Sequence, residues 1–309
     1  MELMDKQTVE KNTGWRIWWR LLRPHTLTAS FTPVILGTAM AVSFGTFHLI
    51  LFIAMTIASL LIQAATNMFN EYFDYKRGLD TEQSIGIGGT IVRDGVRPET
   101  VLTLAFIFCG TATLIGVYIC METSWWLAAI GTVCMMAGYF YTGGPYPIAY
   151  TPFGELVAGT FMGLVLVLIS FFIQTDTITL TSFLVSVPIA FTCGGILMAN
   201  NIRDLDGDKE KGRHTLAILL GRNQAIRFLG GMFTFSYLWI LALMVFHVES
   251  FWMLVVFISI PKALQATKLF KGKTKSIQMM PAMQATAQMH TLFGFLLTIG
   301  LIIDHIVSL

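Results

Sequence analysis

An all-helical integral membrane protein, with nine transmembrane helices around a central cavity, is the fold this sequence predicts. Three observations predict it. The chain is 55% hydrophobic and only 12% charged, with a mean hydropathy of +0.68, which argues against a soluble domain. Its apolar runs are long: Asp, Glu, Lys and Arg are absent from 24–70, 100–121, 123–154, 156–175, 177–202, 228–248, 250–261 and 276–303. A helix needs roughly 20 apolar residues to cross a bilayer, so the first run holds two spans and the run at 250–261 borrows from its edges. The third observation is that the basic residues fall on one side.

Taken in order, residues 1–12 are polar and charged, with no cleavable signal peptide visible. Trp15, Trp18 and Trp19, interleaved with Arg16 and Arg20, read as an interfacial helix at the headgroup level. Residues 1–26 thus form an interfacial or cytoplasmic segment, and 27–309 a single intramembrane domain. The expected spans are 27–44, 49–73, 101–120, 124–141, 154–173, 180–200, 228–246, 250–264 and 284–303. Lys6, Lys11, Arg16, Arg20 and Arg23 precede the first span, and Lys76, Arg77, Arg93 and Arg97 follow the second. Arg203, Lys209, Lys211, Arg213, Arg222 and Arg227 follow the sixth, and Lys262, Lys268, Lys271, Lys273 and Lys275 fall between the eighth and ninth. These are all 20 basic residues, and the positive-inside rule puts them, with the N-terminus, in the cytoplasm. The net charge of +2 is therefore a topology signal rather than a sign of nucleic-acid binding, and nothing points to an obligate protein partner.

Four cysteines (Cys109, Cys120, Cys134, Cys193) lie inside apolar runs without metal or disulfide spacing, and read as small buried hydrophobes. The six histidines are scattered and form no ligand set. Three cytoplasmic loops are distinctive, and one of them, 209–222, is polar and ends in Thr-Leu-Ala-Ile-Leu-Leu-Gly-Arg. Residues 81–98 carry Gly86, Gly88, Gly89, Gly95 and Arg93, and residues 142–153 hold three prolines and no charge. Such composition fixes turns close to a cavity.

The chemistry lies in two polar stretches, Asn67–Asp80 and Asn200–Glu210, each closing an apolar run. On a helix Gln63, Asn67, Asn70 and Asp74 share one face, and so do Asn200, Asp204 and Asp208. Amides and carboxylates are costly beside hydrocarbon, so these faces should look into a protein cavity. Glu71, Asp74, Asp80, Asp204, Asp206 and Asp208 crowd one mouth. Two like charges about 4 Å apart repel by roughly 4 kcal/mol at an effective dielectric near 20, so the cluster calls for cations. Oxygen donors of this kind suit Mg²⁺, which takes one or two carboxylates plus substrate phosphates. Two facing clusters suit a diphosphate, helped by Arg93, Arg203 and Lys209. A diphosphate held above a lipid-lined chamber suggests a polyprenyl diphosphate, with Phe73, Tyr139 and Tyr141 as faces for an allylic cation. A recurring acidic motif after the second helix of each half suggests a weak internal duplication. A cation-coupled transporter competes with this reading, but it predicts polar groups at mid-span rather than at one membrane face.

Five stretches stand in a specific order: Arg23-Pro24-His25-Thr26-Leu27, Asn67 through Asp80, Gly86-Ile87-Gly88-Gly89-Thr90-Ile91-Val92-Arg93, Tyr141-Thr142-Gly143-Gly144-Pro145, and Asn200 through Ala217. On these the chain resembles the UbiA-type intramembrane aromatic prenyltransferases, most closely the bacterial 1,4-dihydroxy-2-naphthoate branch of menaquinone synthesis. The resemblance covers roughly 20–303. It implies Mg²⁺-dependent transfer from a polyprenyl diphosphate to an aromatic carbon, in a bacterial plasma membrane with the mouth on the cytoplasmic side. In the menaquinone branch the acceptor, 1,4-dihydroxy-2-naphthoate, loses its carboxylate and demethylmenaquinone results. Other branches of the fold use 4-hydroxybenzoate, homogentisate, haem or a chlorophyllide. Carried over by position, Asn70, Asp74, Asp80, Asp204 and Asp208 are the catalytic candidates, and Asn70, Asp74, Asp204 and Asp208 among them the metal ligands. Asn67, Lys76, Arg93, Tyr139, Tyr141, Asn200, Arg203 and Lys209 are the substrate-binding candidates. Many members place a third motif residue four after Asp74, but here Gly78 stands there and Asp80 follows two later, a shift shared by the menaquinone branch. Glu71 stands where relatives often have Asp.

Overall fold

The computed structural model describes residues 14–80 and 89–308, with the backbone alone at His25. Lys6 and Lys11, and the loop glycines Gly86 and Gly88, lie outside the described residues. Among the described residues every regular element is a helix.

Helix α1 (Trp15–Leu22) is two-faced: Trp15, Trp18 and Trp19 are exposed, while Leu21 packs with Phe69 and Val101. Arg23, in the left-handed region at φ 52°, turns the chain, and Pro24 opens α2 (Pro24–Ser43) at a position where its missing N–H has no helical partner to lose. Three helices follow: α3 (Leu49–Lys76), α4 (Pro98–Glu122) and α5 (Trp126–Thr142). The next segment is composite. It starts as α6 (Gly154–Ala158), widens to a π-helical turn over Gly159–Val165 and ends as α7 (Leu166–Thr175). A Cβ added at Gly159 would meet the Ala190 carbonyl at 2.6 Å, and one at Gly163 would meet Ala190 Cα at 2.5 Å. These two glycines therefore let the wide turn lie directly on α8 (Leu180–Glu210), the small-residue packing that membrane helices favour. After α9 (Leu216–Leu220) come α10 (Arg222–Val245), α11 (Ile260–Lys268) and α12 (Ser276–Ser308).

Seven helical segments among the described residues are long and apolar enough to cross a membrane: Thr26–Ser43, Leu49–Lys76, Pro98–Glu122, Gly154–Thr175, Leu180–Glu210, Arg222–Val245 and Ser276–Ser308. Trp126–Thr142 is apolar but shorter. The stretch expected as one span over 250–264 begins as a 3₁₀ helix, Phe251–Ser259, and runs into α11. Pro261 sits in the first turn of α11, where its lack of an N–H is tolerated, and the chain changes helix type just ahead of it. Both motif-bearing helices run past their expected ends, α3 to Lys76 and α8 to Glu210, so the acidic motifs are helical except for Asp80.

Packing is uneven. Residues of α8, α10, α11 and α12, joined by Leu36 and Met40 of α2 and Phe171 of α7, form the largest core, around Phe270, Phe293, Ile189 and Leu229. Polar pairs tie these helices where no water can. His290 meets Thr192 at 2.9 Å, and Tyr237 meets Ser259 at 2.6 Å. Pro188 interrupts α8 and leaves the Leu184 carbonyl without its usual donor four residues on. The Trp239 indole N–H donates to that carbonyl at 2.9 Å. Leu114, Leu180, Leu238 and Val245 stand exposed on the outer face, as lipid contact requires.

Candidate active site

Opposite the solid core, α2 to α8 leave a cavity of about 350 Å³. Along α3 its lining runs from Met55 to Asn70, about 22 Å of helix at 1.5 Å per residue. One end is apolar, with Met55, Ala58, Ile119, Leu127 and Leu166. The other is polar, with Arg23, Gln63, Asn67, Asn70, Tyr141 and Asn200. Phe161 and Met162, from the π-helical turn, also face it. The amide face read from the α3 sequence is thus part of the cavity wall. Asn70 accepts a hydrogen bond from the Thr142 hydroxyl at 2.8 Å, and Asn67 donates to the Leu22 carbonyl at 3.0 Å and to Thr26 at 2.9 Å. The Asn200 side-chain oxygen is buried with no donor among the described residues.

Beyond the polar end the two acidic motifs meet through one residue. The Arg213 guanidinium donates to Asp74 Oδ1 at 2.8 Å and to Asp208 Oδ1 at 3.2 Å. Burial alone would lower its pKa, but Asp74 and Asp208 outweigh that and hold it above the ordinary arginine value. The same guanidinium lies 5.3 Å from the centre of the Tyr150 ring, and the Tyr150 carbonyl accepts from His214 N–H at 3.0 Å. Two residues earlier, Lys211 Nζ donates to the Leu79 carbonyl. The sequence reading counted Arg213 and Lys211 only as topology charges, and no motif spacing marks either of them.

Asp80 joins this group through the end of α3. Gly78, at φ 70°, reverses the chain so that the Leu79 and Asp80 amides donate back to the Asp74 carbonyl at 2.8 and 3.4 Å. Only glycine takes that conformation without strain, so Gly78 accounts for the acid standing at 80. Burial, then Asp74, push the Asp80 carboxyl up to about 6, against the opposing pull of Arg23. Glu71 is buried and holds structure: it accepts from the Ile91 N–H at 3.1 Å and faces Arg23 at 3.7 Å. It thereby pins the loop that carries Arg93, whose guanidinium burial and the nearby Arg20 draw below the usual value while Asp80 pulls the other way. The Arg20–Asp94 pair, at 3.7 Å, pins the same loop to α1.

The remaining candidates are spread over this end. Arg203 grips Asp204, with Nε at 2.6 Å from Oδ1, and rests against the sulfurs of Met280 and Met283 on α12. Those contacts turn it away from Asp74 and Asp208, which Arg213 holds instead. Asp206 pairs with Arg222 at 3.0 Å. Lys76 and Lys209 are exposed, Lys76 lying 5.9 Å from the centre of the Tyr72 ring. Tyr141 lines the cavity, whereas Tyr139 sits edge-to-face with Phe69 at 5.2 Å and Phe73 at 5.6 Å. Arg77, read from the sequence only as a topology charge, donates to the Thr142 and Gly144 carbonyls and so ties the proline-rich loop to α3.

The profile of the UbiA prenyltransferase family matches residues 30–301. This chain belongs to that family. It is 54% identical to the 1,4-dihydroxy-2-naphthoate octaprenyltransferase of Bacillus subtilis (strain 168), over 96% of this chain and 95% of that one. The enzyme of the same name from Escherichia coli (strain K12) is 25% identical over 98% and 99%. Among solved structures, a UbiA homolog from Archaeoglobus fulgidus bound to GPP and Mg²⁺ shares the fold, with a TM-score of 0.65 at 12% identity over 91% of this chain and 99% of that one.

For a UbiA-family chain the question is whether these residues fit a divalent cation. Among the described residues no three His, Cys, Asp or Glu side chains converge on one point. What converges is sparser and still suited to Mg²⁺, which leaves coordination places for water and substrate phosphate. Asp74 and Asp208 face a shared position from opposed helices, and a cationic guanidinium already fills it. The partnerless Asn200 oxygen and the Asn70 amide lie at the adjoining end of the cavity.

Proposed function

We propose that this UbiA-family chain transfers a polyprenyl group from a polyprenyl diphosphate to 1,4-dihydroxy-2-naphthoate, with loss of the acceptor's carboxylate, giving demethylmenaquinone in its reduced form. The observation that carries the reading is the cavity: apolar along much of about 22 Å of α3, polar at one end, and capped there by the two acidic motifs. The likeness to the Bacillus subtilis enzyme supports the acceptor.

In this reading the isoprenoid tail lies along the Met55–Ile62 side of the cavity and the diphosphate sits above Asn67 and Asn70. Asp74 and Asp208, with Asn70 and Asp204, would hold Mg²⁺, and Arg203 orients Asp204. When bound, the metal supplies positive charge to the departing diphosphate oxygens. Arg93, Lys76 and Lys209, set around the same end, add charge-assisted bonds to those oxygens. The allylic carbon–oxygen bond breaks, the new carbon–carbon bond forms on the acceptor ring, and the ring carboxylate leaves as carbon dioxide. Apolar walls keep water from the allylic cation, and the Tyr141 face lies close enough to the reaction space to steady it. Asn67 and Asn200 orient the head groups, and Tyr139 backs the wall from its aromatic stack. Nine spans place the one-sided basic residues, the N-terminus and this mouth together on the cytoplasmic face of a bacterial plasma membrane, with Trp126–Thr142 and the 251–268 segment as the two spans beyond the seven long ones.

The test uses membranes from an overexpressing strain, Mg²⁺ and a radiolabelled polyprenyl diphosphate, with 1,4-dihydroxy-2-naphthoate or 4-hydroxybenzoate in parallel. Labelled lipid and equimolar diphosphate with the naphthoate alone are expected. Product with 4-hydroxybenzoate alone would overturn the acceptor. Label crossing vesicles without diphosphate release would overturn transfer itself in favour of transport.

A further inference from the structure

Arg213 occupies the place between the motifs that the metal reading gives to a divalent cation. Its two terminal nitrogens reach Asp74 on α3 and Asp208 on α8, and the three side chains are mostly buried. Without a bridging cation, Asp74 and Asp208 would leave two mostly buried like charges uncompensated near Asp80. A guanidinium cannot relieve this and then leave by losing its proton, because it stays charged at any accessible pH. It can only move. The Tyr150 ring, 5.3 Å away on a residue whose backbone is tied to His214, offers a cation–π surface against which it can withdraw. Lys211, holding the Leu79 carbonyl from the same connection, keeps the strap across both motifs while Arg213 shifts.

We propose that Arg213 is a resident counter-cation, holding Asp74 and Asp208 together in the metal-free protein and competing directly with the divalent cation for both carboxylates. The metal binds as the guanidinium is displaced, so the metal affinity of the free protein is set by how firmly Arg213 holds. Arg213 is thus a positioning residue for the two motifs. The inference rests on the metal reading above, and its test separates the two.

The experiment measures Mn²⁺ binding to detergent-purified, substrate-free protein by electron paramagnetic resonance, which reads free Mn²⁺ directly. Arg213→Gln removes the competing charge and keeps hydrogen-bonding capacity, and it should bind Mn²⁺ at least tenfold more tightly than the wild type. Arg213→Lys, which keeps the charge but loses the two-pronged grip, should fall between them. Asp74→Asn and Asp208→Asn should each lose binding. Equal, weaker or absent binding in Arg213→Gln, with binding lost in the Asp variants, would overturn the counter-cation role and leave the metal site standing. Binding that survives in both Asp variants would overturn both. Should Arg213→Gln not fold, Arg213→Lys must still bind at least threefold more tightly than the wild type, and equal affinity would overturn the proposal.

Discussion

Glu249, just past the C-terminal end of α10, has its carboxyl pushed up to about 7, chiefly by burial and then by Asp304. The folded protein therefore keeps a proton that the unfolded chain releases above the ordinary value of 4.5. The stability tied to this group is fully present below pH 4.5 and is lost as pH rises through about 7. Glu249→Gln cannot titrate, so its melting temperature relative to the wild type should rise between pH 5 and pH 8, with a gap of order 2 kcal/mol at the upper end. Thermal melts in detergent at the two pH values check this, and a gap independent of pH would contradict it. Other residues differ in how plainly the sequence shows their work. Asp74 and Asp208 were legible because the i, i+4 spacing of Asn and Asp puts them on one helical face. Glu71 reads as one more mouth carboxylate, yet it holds the Ile91 amide. Arg203 reads as a diphosphate ligand and Arg213 only as a cytoplasmic-side charge, and only tertiary contact shows the first gripping Asp204 and the second bridging the motifs. A single charge carries no period, so nothing in the chain marks Arg213 as the bridge.

At the scale of helices, the join between α8 and α10 at Pro188 turns a local rule into a packing requirement. Proline withholds the donor owed to the Leu184 carbonyl, and Trp239 supplies one from a neighbouring helix. Trp239→Phe keeps the aromatic packing against Phe235 but removes the indole N–H. It should lower stability by about 1 kcal/mol, the usual size of an interhelical hydrogen bond in a membrane protein. In a Pro188→Ala background the restored backbone N–H can bond the Leu184 carbonyl within the helix, so the same change should cost much less. Equal losses in both backgrounds, read from thermal melts, would dismiss this account. Most spans were legible from apolar length alone. Two features were not. Hydropathy does not distinguish an α-helix from a π-helical turn, so the widening at Gly159–Val165 is invisible until Gly159 and Gly163 are seen against Ala190. Hydropathy also missed the 3₁₀ start at Phe251, set just ahead of Pro261.

Across the whole molecule, the helices divide the labour. Those from α8 to α12 pack solidly around Phe270 and Phe293, while α2 to α8 surround the cavity, with α2, α7 and α8 serving both. That division keeps the motif-bearing end of α8 anchored to a rigid core while α3 presents its amide face to the chamber. The chamber was foreseen in kind, from polar faces that cannot meet lipid, but not in shape. Its walls are small and apolar residues drawn from several helices, such as Gly131, Ala128 and Gly138, and no short stretch of sequence encodes their convergence. The claim on which everything else depends is that the two acidic motifs act through a divalent cation held between α3 and α8. The most direct measurement is diphosphate release and labelled product from purified protein, after EDTA and again after Mg²⁺ is restored, for the wild type, Asp74→Asn and Asp208→Asn. The account predicts no product in EDTA, full recovery with Mg²⁺, and a loss of at least 100-fold in both variants that added Mg²⁺ does not restore. Full activity in excess EDTA, or near-normal rates in both variants, would contradict it.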